Sequence, residues 1–156
     1  MSCISAMLKN PLTVSPKDTV GKGMERLLKE RIRSMPVVDG RGNYIGMFHF
    51  RQVLKQLLPK SVLAEGGVDD LDFLHGTDQQ VVDKLGDVYK MKIGDVVDTE
   101  RPVLREDEVF WAMVHMIYKY DAPMAVLKAD TRKLIGIVSK QSLIEELLRR
   151  RAFTEE

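Results

Sequence analysis

Apolar residues recur at helical spacing twice along the chain. Val20, Met24, Leu27, Leu28 and Ile32 form one stripe, and Val109, Met113, Met116 and Ile117 form another. Such spacing predicts two amphipathic helices. Asp18 and Asp107 stand where a carboxylate would accept the orphan N–H groups of a first turn, so both are expected as N-caps. Ahead of each helix lies a short extended piece, residues 12–14 and 102–104, with Pro11 and Pro102 biasing the local backbone. Behind each lies a compact apolar run, residues 35–38 and Met124–Leu127, then a polar turn at 39–42 or 129–132. Return strands are predicted over 44–50 and 134–139, and closing helices start near Arg51 and Lys140. On a strand side chains alternate, so Phe48 and Phe50 should share the core face while His49 points the other way.

The two halves are copies. A shift of 89 residues sets Ile4 on Ile93, Val14 on Val103, Asp18 on Asp107, Val20 on Val109, Met24 on Met113, Met35 on Met124 and Val37 on Val126. One extra residue in the second turn makes the shift 90. Ile45 then meets Ile135, Gly46 meets Gly136, and Leu57-Leu58 meet Leu147-Leu148. Each copy reads β-α-β-β-α, with a sheet too small to stand alone. The expected fold is α+β, two repeats packed about a pseudo-twofold axis with equivalent loops in two facing clefts. The repeats span 1–58 and 92–151, joined by a helical connector at 59–91 and followed by a short tail at 152–156. The connector is broken by Gly66-Gly67. Helices are predicted over 68–74 and 77–89; the second carries a stripe of Val81, Val82, Leu85, Val88 and Tyr89. This stripe reads as a packed connector or as a contact to another subunit.

Composition narrows the function. Of 156 residues 44% are apolar and 30% charged, enough for a core, and the net charge of +1 argues against a nucleic-acid surface. No apolar run approaches the ~20 residues that span a bilayer, so no membrane insertion is expected. The N-terminus carries no signal-peptide pattern. Cys3 is the single cysteine, which excludes an intramolecular disulfide and a cysteine metal cluster and suits a cytoplasmic protein. Catalytic signatures are absent. No Gly-rich phosphate loop ends in Lys-Ser/Thr, and His49, His75 and His115 share no metal-ligand spacing. Neither enzyme activity nor a metal is expected. Trp111 and the nine methionines read as core or interface. Glu145 and Glu146, with Arg149, Arg150 and Arg151, read as an exposed helix face.

The stretch "NPLTVSPKDTV…MPVVDGRGNYIGMF", and more loosely "RPVLREDEVF…PMAVLKADTRKLIGIVS", resembles the cystathionine-β-synthase (CBS) domain family. The resemblance covers the chain outside residues 59–90. It implies a tandem pair, the Bateman module, which commonly homodimerises. Such modules commonly bind an adenine nucleotide or other adenosyl compound between the repeats and signal occupancy to an effector protein.

The family's ribose signature is Gly, two apolar residues, Thr or Ser, two residues, then Asp. The first copy reads Gly46-Met47-Phe48-His49-Phe50-Arg51-Gln52, so His49 replaces the hydroxyl and Gln52 the carboxylate. The second reads Gly136-Ile137-Val138-Ser139-Lys140-Gln141-Ser142; Ser139 keeps the hydroxyl and Ser142 replaces the aspartate. Neither copy holds the carboxylate. The other positions that the resemblance places at a ligand are Thr13 and Val14, their counterparts Pro102 and Val103, the strand entries Ser34, Met35 and Pro36 with Ala122, Pro123 and Met124, and the basic Arg33. His49 reads either as a structural histidine or as a ligand- or pH-sensing group. The module as a whole reads as a ligand sensor or as a ligand-free dimerisation scaffold with degenerate clefts.

Overall fold

The computed structural model describes residues 3–59, 78–120 and 123–154, with the side chains of the first two left aside. The helix expected over 68–74 and the candidate Ala122 lie outside these residues. A 3-10 turn, Cys3–Ala6, leads into β1 (Leu8–Lys9). The first repeat continues with α1 (Val20–Glu30), β2 (Ser34–Val38), β3 (Tyr44–His49) and α2 (Phe50–Leu57). The connector helix α3 is Asp78–Tyr89, followed by a 3-10 turn at Ile93–Asp95. The second repeat has β4 (Leu104–Arg105), α4 (Phe110–Lys119), β5 (Met124–Leu127), β6 (Leu134–Val138) and α5 (Lys140–Thr154).

The chain is an α+β protein in which the repeats exchange their opening segments. β1 pairs antiparallel with β6, Leu8 opposite Ile137, and so joins the second sheet, whose order is β1-β6-β5-β4. Residue 98 bridges Met47 of β3 in the same way, with reciprocal backbone bonds of 3.0 and 2.9 Å. The cores follow suit. Ala6 packs with Leu104, Met113, Ile117, Met124 and Val138, while Val88, Ile93 and Val96 pack with Val20, Leu27, Met35, Val37 and Phe48. Gly46 and Gly136 make this possible. A Cβ on Gly46 would strike Val97 and the backbone of Asp98, and one on Gly136 would strike Met7 and Leu8. A third cluster, Tyr44, Met47, Ala125 and Leu127 with Val103, Leu134 and Ile137, joins the two halves. There the Tyr44 N–H donates to Arg132 O at 2.7 Å and the Leu134 N–H to Gly42 O at 3.2 Å. These are equivalent atoms of the two repeats, bonded reciprocally.

Several sequence expectations shift. Residues 12–14 form no strand; only Val14 bridges Val37. Val14 thus matches Leu104, which pairs with Val126, and not Val103. The repeat offset is 90 through the opening segments and the first helices, drops to 89 at β5, and returns to 90 after the turn. The second copy lacks one residue between α4 and β5, where the constant shift of 89 placed no gap. Buried Leu27 therefore matches buried Ile117, and exposed Leu28 (68%) matches exposed Tyr118 (86%). Val109, expected inside, is 64% exposed because it is the residue before the helix.

Neither aspartate is the N-cap. Thr19 caps α1, its Oγ1 accepting from the Lys22 N–H at 3.2 Å, while Asp18 accepts from the Ser15 N–H and holds the preceding turn. The second cap position is Val109, with no side-chain bond. β3 ends at His49 and β6 at Val138, each one residue earlier than expected. Phe48 is fully buried, and Phe50 opens α2 half-buried against the same core. Trp111 is 84% exposed and belongs to no core. Glu146 is buried rather than part of an exposed face. Arg149 donates to it at 2.9 and 2.6 Å and Arg150 at 2.9 Å, which holds its carboxyl down at about 2. The Arg150 guanidinium also reaches Ser5 Oγ at 2.5 Å and stacks 4.7 Å from the Phe110 ring, tying the N-terminal turn to α5.

Candidate functional site

A cleft of about 630 Å³ opens where the mouth of α2 meets the opening segment of the second repeat. This volume lies within the usual range of small-ligand pockets. Arg51, Gln52, Leu54, Lys55 and Leu58 line one side; Asp98, Glu100, Arg101, Pro102 and Tyr120 line the other. Arg51 and Lys55 share a helix face by their i, i+4 spacing. Both are exposed. Neither they nor Gln52 have a protein hydrogen-bond partner among the described residues.

His49 stands behind the wall. It is 6% exposed, and its Nε2 lies 3.2 Å from Asp98 Oδ2. Asp98 also accepts from the Glu100 N–H at 3.1 Å and lies 3.9 Å from Arg101 Nε. The bond joins β3 of one repeat to the segment entering the other. Burial lowers the His49 pKa, opposed by the Asp98 hydrogen bond and charge and aided by the Arg101 and Arg51 charges. Burial alone would raise the Asp98 pKa, but the bonds from His49 and the Glu100 N–H, with the His49 and Arg101 charges, outweigh it and the net shift is downward. The neutral imidazole beside an ionised carboxylate is therefore the resting state near neutrality. Burial likewise pushes the Tyr44 phenol up to about 12. Its hydroxyl, like that of Ser34 opposite His49 in the β2–β3 ladder, is buried without a partner among the described residues.

Of the candidate ligand positions among the described residues, Gln52 and Pro102 line the cleft, with His49 acting through Asp98. Thr13 is half-buried, its carbonyl accepting from Arg26 at 2.7 Å. Val14, Met35 and Pro36 are buried, and Arg33 is exposed. Val103 belongs to the inter-repeat cluster, Pro123 is half-buried, and Met124 lies in the second core.

Ser139 and Ser142 are consumed locally. Ser139 Oγ accepts from the Ser142 N–H at 3.0 Å and Ser142 Oγ from the Ser139 N–H at 2.9 Å, a reciprocal cap on α5. His49 and Gln52 hold the same two positions on α2 without capping it. Sequence reasoning missed Lys55, Asp98, Glu100, Arg101 and Tyr120. The one available signal was the acid-base pair Asp98 and Arg101, three residues apart and directly before Pro102. Among the described residues no His, Cys, Asp and Glu cluster could hold a metal ion, and no helix is long and apolar enough to cross a membrane.

Residues 2–59 match the family model for the CBS domain, and the whole chain superposes on solved CBS-pair structures. The chain has the fold of a tandem CBS pair. It is similar to CBSX2 from Arabidopsis thaliana, a CBS-pair protein, at 18% identity and a TM-score of 0.71, with 97% of this chain and 96% of that one covered. It is also similar to CBSX2 in complex with AMP (19%, TM-score 0.70, 96% and 98% covered). A third similarity is to CbpB in complex with c-di-AMP (14%, TM-score 0.71, 99% and 90% covered). No curated protein matches the sequence significantly. In this chain the first cleft is open and lined mainly by charged residues, while the hydroxyls at the second repeat's corresponding position are tied up in a helix cap.

Proposed function

We propose that this CBS pair is a regulatory, non-catalytic module that binds an adenosine-type ligand in the cleft beside Gln52 and signals occupancy to an effector protein. The supporting observation is the cleft itself: a ligand-sized volume between the repeats, with an amide and two cations whose side chains no other described residue engages. AMP in CBSX2 and c-di-AMP in CbpB point the same way. The test is thermal unfolding of protein stripped of co-purified ligand, with AMP, ADP, ATP, c-di-AMP and S-adenosylmethionine. A ligand that binds only the folded state adds RT ln(1 + [L]/Kd), about 2.7 kcal/mol at a hundredfold excess over Kd. At least one compound should raise the midpoint by several degrees, and a flat panel at millimolar concentration would sink the proposal.

A second reading is a ligand-free interaction scaffold. It is favoured by Trp111, Tyr118, Ile144 and Leu148, all more than half exposed on the helices of the second repeat. On the first repeat the Tyr89 ring of the connector covers Gly21, the position equivalent to Trp111. Under either reading the open helix face is where we place homodimerisation, in a cytoplasmic protein.

A further inference from the structure

We infer that the first cleft selects its ligand by phosphate charge and is indifferent to the ribose hydroxyls. This rests on the nucleotide reading above and narrows it. Arg101 is the central observation. Its side chain is only 13% exposed, yet among the described residues its guanidinium has a single partner, the long 3.9 Å ion pair with Asp98. A guanidinium carries five donors in a fixed fork. Buried polar groups are ordinarily hydrogen-bonded, and Arg101 is one of the residues lining the cleft. Across from it, Arg51 and Lys55 bring two more cations on one helix face, neither in an ion pair among the described residues. Three positive groups converging on one cavity fit an anion, and charge-assisted bonds to phosphate are about twice as strong as neutral ones.

A vicinal diol calls for a different feature, a carboxylate free to accept from both hydroxyls. Asp98 is not free, because His49, the Glu100 N–H and Arg101 occupy it. Gln52 offers an uncharged amide. Glu100 is the remaining acid, and it is exposed at the rim. Tyr120, also at the rim and 37% exposed, has a Lys119 ammonium 5.3 Å from its ring centroid, which adds positive potential there.

The experiment is titration calorimetry of the stripped, full-length protein with ATP, dATP, ADP, AMP and inorganic tripolyphosphate, repeated on an Arg51→Gln/Lys55→Gln double variant. Both positions are exposed, so the variant should fold as the parent does. Each phosphate removed should weaken binding roughly tenfold. dATP should match ATP within about twofold, tripolyphosphate should displace ATP, and the double variant should lose at least about tenfold for ATP but under about threefold for AMP. Equal affinity for AMP and ATP, or a tenfold penalty for dATP, would overturn charge selection while leaving a nucleotide site in place. Absence of binding by every compound would overturn both this inference and the nucleotide reading.

Discussion

At the scale of single residues, His49 is a place where the protein departs from its own second copy. Ser139 caps a helix, whereas His49 leaves its helix uncapped and turns to Asp98 in the other repeat. Its folded pKa lies below the unfolded value, so the unfolded chain binds more protons in the window just under the usual histidine range. Stability is therefore full above about pH 6.5 and falls as pH drops through that window. Asp98, also lowered, adds stability that is present above its ordinary carboxylate range and lost only at more acid pH. Urea midpoints measured from pH 7.5 to 5 should decline, and the decline over pH 7 to 5.5 should be shallower in His49→Gln. A second expectation concerns Gln52. Gln52→Asp supplies the missing acceptor for a diol, and it should create a preference for ATP over dATP of roughly tenfold, readable in the same calorimeter. The orientation of His49 and the substitution at Gln52 were both legible, because strand alternation and the G-x-x-[S/T]-x-x-D pattern are local. Asp98 was not: it meets His49 through tertiary exchange of segments, which no spacing in the chain records.

At the scale of elements, the period of the helices was visible but their phase was not. Identities such as Val20 with Val109 suggested one alignment, and burial imposes another, one residue away. Leu27 and Leu28 separate the two. Leu27 is fully buried, so Leu27→Ala should cost about 2–5 kcal/mol; Leu28→Ala should stay within about 0.5 kcal/mol. Chemical denaturation of both variants checks this directly. The helix start carries a matching lesson. Asp18 and Thr19 are both good caps, and only the backbone shows that Thr19 occupies the position while Asp18 braces the turn before it. Thr19→Ala should cost about 1 kcal/mol.

At the scale of the whole molecule, the duplication and the α+β class could be read from the sequence because both lie in the order of residues. The swap of opening segments could not, since it rests on two short pairings and on space left by glycine. Gly46→Val should destabilise by at least about 1–3 kcal/mol through overpacking against Asp98 and Val97. The exposed apolar face of the second repeat, which adds Trp111 to positions also exposed in the first, sets the expected assembly. A double change of Trp111 and Ile144 to Glu should convert a dimer to a monomer by light scattering without lowering the melting point of the monomer, because both residues are more than half exposed. A dimer that survives would place the contact elsewhere.

The exchanged segments also constrain how occupancy can be communicated. Two lobes joined by a hinge would open and shut around a guest. Here β1 is stitched to β6, residue 98 to β3, and the two turns to each other at their symmetric midpoint. Prising the lobes apart would strip backbone pairs from both sheets at once. Under the proposed function a guest would therefore act by stiffening the cleft walls and the helix α2 above them. An effector would sense the rigidity of that outer surface, with no change of shape between the lobes.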